Sequence, residues 1–309
     1  MRAVTYTSVG NPDVIEVSEI DKPEPGLFEI RIKVQAASLN PADMAAWSGL
    51  FPPPAEGSHF GLGWDIAGVV DAVGPGATWE VGAPVIAIIP GATGVGRAQA
   101  EYAVVPSHAL APAPAGVDPL EAATIPLSGL TAAQSVELLG LHAGQTVFIT
   151  GAAGAVGGFA VQLAKRRGLI VIASDLADDE GFTMDIAGAD GFVPASDSPV
   201  GAVRALYPAG VDAVLDTTTL GQALIGAVTD NGTFVTTRMD ALPRPERGIR
   251  VRLTQVAAEG SMLTTLSDLA ASGELVLRVA QTYSLDDASQ AHAHMALGGL
   301  RGRVVLNIS

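Results

Sequence analysis

The residues best equipped for chemistry begin at Thr146. Val147-Phe-Ile149 is a short apolar run that ends in a glycine-rich turn, Gly151-Ala-Ala-Gly-Ala-Val-Gly157, and Val156, Ala160, Leu163 and Ala164 follow at helical spacing. A strand that feeds a tight glycine turn and then a helix presents free backbone N–H groups and the positive end of a helix dipole. That is a site for a pyrophosphate. Asp175 lies 21 residues beyond Gly154, the distance at which a dinucleotide-binding unit places an acid on the ribose hydroxyls. One departure from G-x-G-x-x-G matters. Its first glycine is Ala152, so the segment reads Ala152-Ala153-Gly154-Ala155-Val156-Gly157. Gly154 still permits close approach to the phosphates, and Gly157 close packing of helix on strand.

After Asp175 come Leu176-Ala-Asp-Asp-Glu180, and no base occurs before Arg204. Setting a ribose 2′-phosphate among these acids is unfavourable, so the residues favour NADH over NADPH. Asn40, with Pro41 and Asp43 after it, has the form of a helix start. His59 reads either as an acid near the reacting groups or as an exposed loop histidine. Arg238 follows a strand-like run, at the end where α/β sheets bind ligands, and could polarise a carbonyl or lie on the surface. His292 and His294, two apart, do not share a helix face and are not a metal pair.

The elements that position these residues fall into two parts. Up to about residue 117 the signals are short and strand-like. Glu29-Ile-Arg-Ile-Lys-Val34 alternates, and Ile66 to Val73 and Ala83 to Ile89 are further strands, punctuated by turns such as Gly91-Ala-Thr-Gly94. This pattern suits an all-β barrel or sandwich. Leu120 to Leu139 then reads as helical with a break near Gly129, and six strands alternate with helical or loop segments: 147–149, 170–173, 191–193, 213–215, 234–235 and 251–253. Such alternation implies a parallel sheet covered on both faces. The tail, a helix from Asp286 to Ala296 and a strand from Gly302 to Ile308, is expected to return to the first part. The expected domains are therefore 1–117 with 276–309, and 118–275.

Composition narrows the function. The 309 residues are 48% hydrophobic and 16% charged, enough for a substantial core. No cysteine occurs, which removes disulfides, thiolate–zinc sites and cysteine nucleophiles. A net charge of −15 argues against a nucleic-acid partner. Neither a signal peptide nor a run of the roughly 18 apolar residues of a membrane span is visible, and the expected location is cytoplasmic.

Six ordered pieces carry a resemblance: Ser38-Leu-Asn-Pro-Ala-Asp43, Gly63-Trp-Asp-Ile-Ala-Gly-Val-Val70, Pro126-Leu-Ser-Gly-Leu-Thr-Ala132, Gly151 to Gly157, Gly210-Val-Asp-Ala-Val-Leu-Asp-Thr217 and Arg301-Gly-Arg-Val-Val-Leu306. With them the chain resembles the zinc-independent quinone oxidoreductase branch of the medium-chain dehydrogenase/reductase superfamily. The resemblance implies an α/β fold: a GroES-like β-barrel domain plus a Rossmann domain with a doubly wound, parallel six-stranded sheet, and an active site in the cleft between them. It implies NADH or NADPH as cofactor, a small-molecule quinone or α,β-unsaturated carbonyl as substrate, and Asn40, Thr131, Thr217 and Arg303 at or beside the cofactor. Asn40 stands where zinc alcohol dehydrogenases have a cysteine ligand, so no metal is expected to act as Lewis acid. The tyrosine that several relatives carry after Asn-x-x-Asp is absent, which leaves His59, a bound water or solvent as proton source. Two alternatives stand beside this reading: an enoyl reductase for one biosynthetic intermediate, and a cofactor-binding, non-catalytic protein of crystallin-like or regulatory type. A homodimer joined along the Ile249 to Val256 edge strand is expected.

Overall fold

A computed structural model describes residues 1–51, 58–91, 94, 96–196 and 198–309. The turn expected at Gly91–Gly94 lies partly outside these. The chain divides into two compact units, Met1–Leu127 with Ala257–Ser309, and Ser128–Val256.

The second unit is built on six parallel strands, Thr146–Thr150, Ile170–Asp175, Gly191–Pro194, Val211–Asp216, Val228–Thr236 and Arg250–Leu253. All six expected strands are present. Their spatial order is third, second, first, fourth, fifth, sixth, the doubly wound order in which a crevice opens beyond the carboxyl ends of the central strands. Phe148, Val214 and Phe234 on the three central strands are fully buried, because a parallel sheet covered on both faces has no wet side. The sixth strand is shorter than Ile249 to Val256. It pairs only opposite Thr233–Thr236; Ile249 turns into the core, and Arg250 and Arg252 face outward.

The helix after the glycine turn spans Ala155–Arg166. Its end is capped by Lys165 and Arg166 in the last turn and by Gly168 in the left-handed region at φ +75°. The break expected near Gly129 lies instead at 123–125, between helices Pro119–Ala122 and Pro126–Leu138. Pro126 decides this. A proline opens a helix well and pushes the residue before it, Ile125, out of the helical region, whereas Gly129 merely continues the helix.

In the first unit one sheet runs Val279–Ser284, Arg303–Asn307, Glu29–Ser38, Asp65–Val73, Pro84–Ile88, Leu110–Pro112, and Tyr102–Pro106 also pairs with Glu29–Ser38. A smaller sheet joins Ile15–Glu19, Arg2–Tyr6 and Phe60–Gly61. The last strand returns to this unit as expected, with Val305 opposite Ser38. Trp47, Trp64, Ile32 and Leu306 belong to one core cluster, with Phe51 and Phe60 packed against it. Leu50, close by in sequence, is exposed. His292 is enclosed in this core: Trp47 Nε1 donates to its Nδ1 at 3.3 Å, and Nε2 lies 2.9 Å from Gln99 Oε1. Burial pushes its pKa down to about 3, so the ring is neutral. His294 meets the Tyr283 hydroxyl at 3.0 Å. Among the described residues no helix is long and apolar enough to cross a membrane.

Gly157 sets how closely helix Ala155–Arg166 approaches the turn. A Cβ there would sit 2.0 Å from Gly151 O, and the atom in the way is backbone. Gly157→Ala is expected to destabilise the protein by about 2–3 kcal/mol, read as a lower urea midpoint. An unchanged midpoint would mean that the helix can withdraw freely.

Candidate functional site

The second unit carries a candidate dinucleotide site of its own. Gly151, at φ +65°, makes the tight turn after strand Thr146–Thr150. A Cβ there would meet Thr217 Oγ1 at 2.6 Å. The left-handed residue is thus Gly151, and Ala152, fully buried, takes an ordinary backbone and donates its N–H to Ser174 O at 3.1 Å. The working pattern is Gly151-x-x-Gly154-x-x-Gly157, one residue away from the first glycine expected. Gly154 caps the helix at φ −72°, and a Cβ on it would touch only Gly151 O, at 3.2 Å. The crowding at 154 is much milder than at 151 or 157, and the bareness of that backbone is what a pyrophosphate needs. Ala155 and Val156 open the helix, half-buried.

Asp175 ends the second strand, and its carboxylate accepts the Ala153 N–H at 2.8 Å and the Leu176 N–H at 2.8 Å. The acid is thereby fixed beside the glycine turn. Thr217 donates from Oγ1 to Thr150 O at 2.7 Å and lies under Gly151. Thr131 is buried on helix Pro126–Leu138, where its carbonyl accepts Ser135 Oγ at 2.6 Å. The turn, the helix terminus and the tethered acid fit a dinucleotide.

The first unit carries a buried polar group around Asn40. Asp65, fully buried, accepts Ser38 Oγ at 2.5 Å, Asn40 Nδ2 at 2.7 Å and the Leu127 N–H at 2.5 Å. Asp43, also fully buried, accepts the Asn40 N–H and the Gly63 N–H, both at 2.7 Å. Asn40 therefore starts helix Pro41–Trp47 as expected, in a capping box closed by the Asp43 carboxylate; its own buried Oδ1 accepts no hydrogen bond from the described residues. Arg303 is buried, and burial lowers its pKa while the charges of Asp65 and Asp43 raise it. Arg97 stacks on Trp64 at 4.4 Å and donates to Gly63 O at 3.1 Å and Gly91 O at 2.9 Å.

Two expected residues are engaged elsewhere. Arg238 follows the fifth strand as expected, but its guanidinium grips Asp240 through two bonds of 3.0 and 2.7 Å. His59 is 41% exposed and faces Glu16 at 3.7 Å and Thr5 at 3.4 Å, partners it does not share with the Asn40 group.

Residues 26–115 match the alcohol dehydrogenase GroES-like domain family and residues 187–306 the zinc-binding dehydrogenase family. The solved structure of an NAD-dependent alcohol dehydrogenase is 30% identical, covers 100% of both chains and gives a TM-score of 0.89. The chain belongs to the medium-chain dehydrogenase/reductase superfamily. A quinone oxidoreductase of Pseudomonas aeruginosa is 35% identical over 175 residues, 55% of this chain and 51% of that protein, so the match spans about half the relative's length. A mycobacterial protein solved in complex with NADPH is 28% identical, covers 100% of both chains and has a TM-score of 0.85. Within the superfamily the chain falls in the quinone oxidoreductase branch.

For a member of this superfamily, three residues of the site were not singled out by sequence reasoning. Asp65 carries a signal of its own, an acid at the head of the apolar run Ile66-Ala-Gly-Val-Val70 with no reason to be there unless paired. Gly151 was hidden by alignment to the wrong first glycine. Asp216 ends the fourth strand fully buried and accepts Thr150 Oγ1 at 2.8 Å, Thr218 Oγ1 at 2.6 Å and the Gly221 N–H at 2.8 Å, which ties the loop after that strand to the glycine turn.

Burial pushes the Asp43 carboxyl up to about 7 against two backbone N–H donors and the charge of Arg97. The folded protein then holds this proton more tightly than the unfolded chain. That stabilisation is complete below about pH 4 and is lost as pH rises through about 7. Asp43→Asn sets an amide NH2 against one of the two N–H groups and should destabilise by about 1–3 kcal/mol. Its deficit should shrink between pH 5 and pH 8, because only the wild type loses the Asp43 contribution. Urea midpoints of both proteins at the two pH values check this; a pH-independent deficit would show that Asp43 is ionised throughout.

Proposed function

We propose that this protein is an NAD(P)H-dependent reductase that transfers hydride to a quinone or an α,β-unsaturated carbonyl, without zinc in its chemistry, and that NADH is its preferred cofactor. The tethering of Asp175 to the glycine turn through Ala153 carries this reading. The superfamily match and the Pseudomonas aeruginosa quinone oxidoreductase support the reaction class. The zinc-free part rests on residue chemistry: the chain has no cysteine, and Asn40 offers an amide where zinc alcohol dehydrogenases of the superfamily have a thiolate.

When bound, the cofactor supplies the hydride. The chain's residues bind and orient. Gly154 and the first turn of helix Ala155–Arg166 receive the pyrophosphate, and Asp175 accepts the ribose hydroxyls. Acids at 178–180 make the same region unfavourable for a 2′-phosphate. Asn40 offers Oδ1 beside the reacting groups. Arg238 on Asp240 and His59 by Glu16 are both otherwise engaged, so we assign the proton to water. A cytoplasmic location suits such a reductase.

Fluorescence titration with NADH and NADPH tests the cofactor assignment. NADH should bind at least about tenfold more tightly, a difference of roughly 1.4 kcal/mol, and Asp175→Ser should abolish that preference. Turnover of a quinone and an enone should survive dialysis against a chelator. Tighter NADPH binding would overturn the Asp175 reading, and loss of turnover on chelation the zinc-free one; failure to bind either cofactor would leave a non-catalytic role.

We also infer a homodimer formed at the Arg250–Leu253 edge strand, whose outer side has no partner strand among the described residues. Sedimentation at micromolar concentration should find a dimer, and a monomer there refutes it.

A further inference from the structure

An asparagine at the start of a helix ordinarily spends its side-chain oxygen on an N–H of the first turn. Asn40 does not. The Asp43 carboxylate closes a capping box on the Asn40 N–H, the Asp43 N–H bonds to the Asn40 backbone carbonyl at 2.9 Å, and the buried Asn40 Oδ1 makes no hydrogen bond to any described residue. The other end of the amide is committed twice. Nδ2 donates to Asp65 Oδ2 at 2.7 Å and to Ser38 O at 3.3 Å. The Ser38 carbonyl can only accept, and Asp65 Oδ2 already accepts Ser38 Oγ, so the atom facing them is the nitrogen. Turning the amide round would set Oδ1 against a carboxylate oxygen. Asp65 cannot yield either, since it is fully buried and also holds Ser38 Oγ and the Leu127 N–H. A buried acceptor left unmade is costly in a native protein and calls for an occupant.

We propose that Asp65 is a positioning residue that fixes the polarity of the Asn40 amide, so that the site presents a hydrogen-bond acceptor and takes an N–H or O–H donor. Asn40 therefore does not polarise a substrate carbonyl, whose oxygen would face another acceptor. Resting on the reductase reading above, two donors meet the requirement: the carboxamide N–H of the nicotinamide, and the hydroxyl of a reduced substrate such as a hydroquinone.

Dissociation constants for two ligand pairs test this. One pair is NADH and its 3-acetylpyridine analogue, which lacks the amide N–H. The other is hydroquinone and its dimethyl ether, measured on the protein alone. The wild type should favour the donor-bearing member of at least one pair about tenfold. Asn40→Ala should bring that ratio to within about twofold of one. Asp65→Asn, in which the Asn40 amide is free to turn round, should lower the ratio as far or invert it. Should that variant fail to fold, Asp65→Glu, which keeps the charge and displaces the carboxylate, is expected to lower it too. A response in the NADH pair assigns the donor to the cofactor; a response in the hydroquinone pair assigns it to the substrate. Ratios unmoved by Asn40→Ala would overturn the acceptor assignment. Ratios moved by Asn40→Ala and unmoved by either Asp65 variant would overturn the role of Asp65. Binding of neither NADH nor NADPH by the wild type would defeat the reductase reading, and the hydroquinone pair would still decide this one.

Discussion

The burial of one carboxylate organises the first unit. Asp65 begins a strand whose next residues are apolar and enclosed, and a charge in such a place persists only if donors surround it. Burial raises its pKa, and the bonds from Ser38, Asn40 and Leu127 together with the charge of Arg303 work against that rise. The donors come from three separate places, the end of strand Glu29–Ser38, the start of helix Pro41–Trp47 and the start of helix Pro126–Leu138, and the countercharge comes from the last strand of the chain. Satisfying Asp65 therefore brings together segments far apart in sequence. Removing any one donor leaves a buried charge less than fully paired, and for that reason the group acts as one unit.

The second unit depends on a steric constraint instead. The three glycines of the turn are not equivalent. Gly151 is required by its left-handed backbone and by Thr217 under it, and Gly157 by the carbonyl of Gly151 against which the helix packs. Gly154 is required by neither. Glycines needed for folding mark where the turn must be tight. A glycine only mildly crowded from inside the protein suits a place where something outside comes close.

Much of this was legible in the sequence, for identifiable reasons. The six parallel strands announce themselves because strands buried on both faces are runs of apolar residues with turns between them, and the glycine turn is visible because strand, turn, helix and acid occur in order at the right spacing. Helix breaks were less legible, since Gly129 and Pro126 both look like interruptions and only the proline is one. Partner choice was least legible. Arg238 and His59 have suitable chemistry and suitable neighbours in sequence, yet Asp240 and Glu16 hold them elsewhere. A charged side chain pairs with whatever the fold brings within reach, and one-dimensional spacing predicts that poorly beyond a helical turn. The Asn40 group lay in the same blind spot: Asn40 and Asp43 read as a helix start, and only the fold brings Asp65 to the amide.

On the proposed zinc-free reading, the amide at position 40 stands where the zinc enzymes of the superfamily use sulfur. A thiolate ligand is one acceptor pointed at a metal. An asparagine in its place has both a donor and an acceptor, and left unconstrained it would offer either to an incoming group. Spending the donor on Asp65 removes that ambiguity. What remains is a single buried oxygen of defined direction, neutral where the thiolate was charged, and therefore suited to a hydrogen-bond donor and poorly suited to a divalent cation, which prefers several charged or strongly basic ligands. The acid that enforces this choice is itself held by Ser38, Leu127 and Arg303. The polarity of the site is thus set by the same buried charge that gathers the strands of the unit, and a change at Asp65 alters both together.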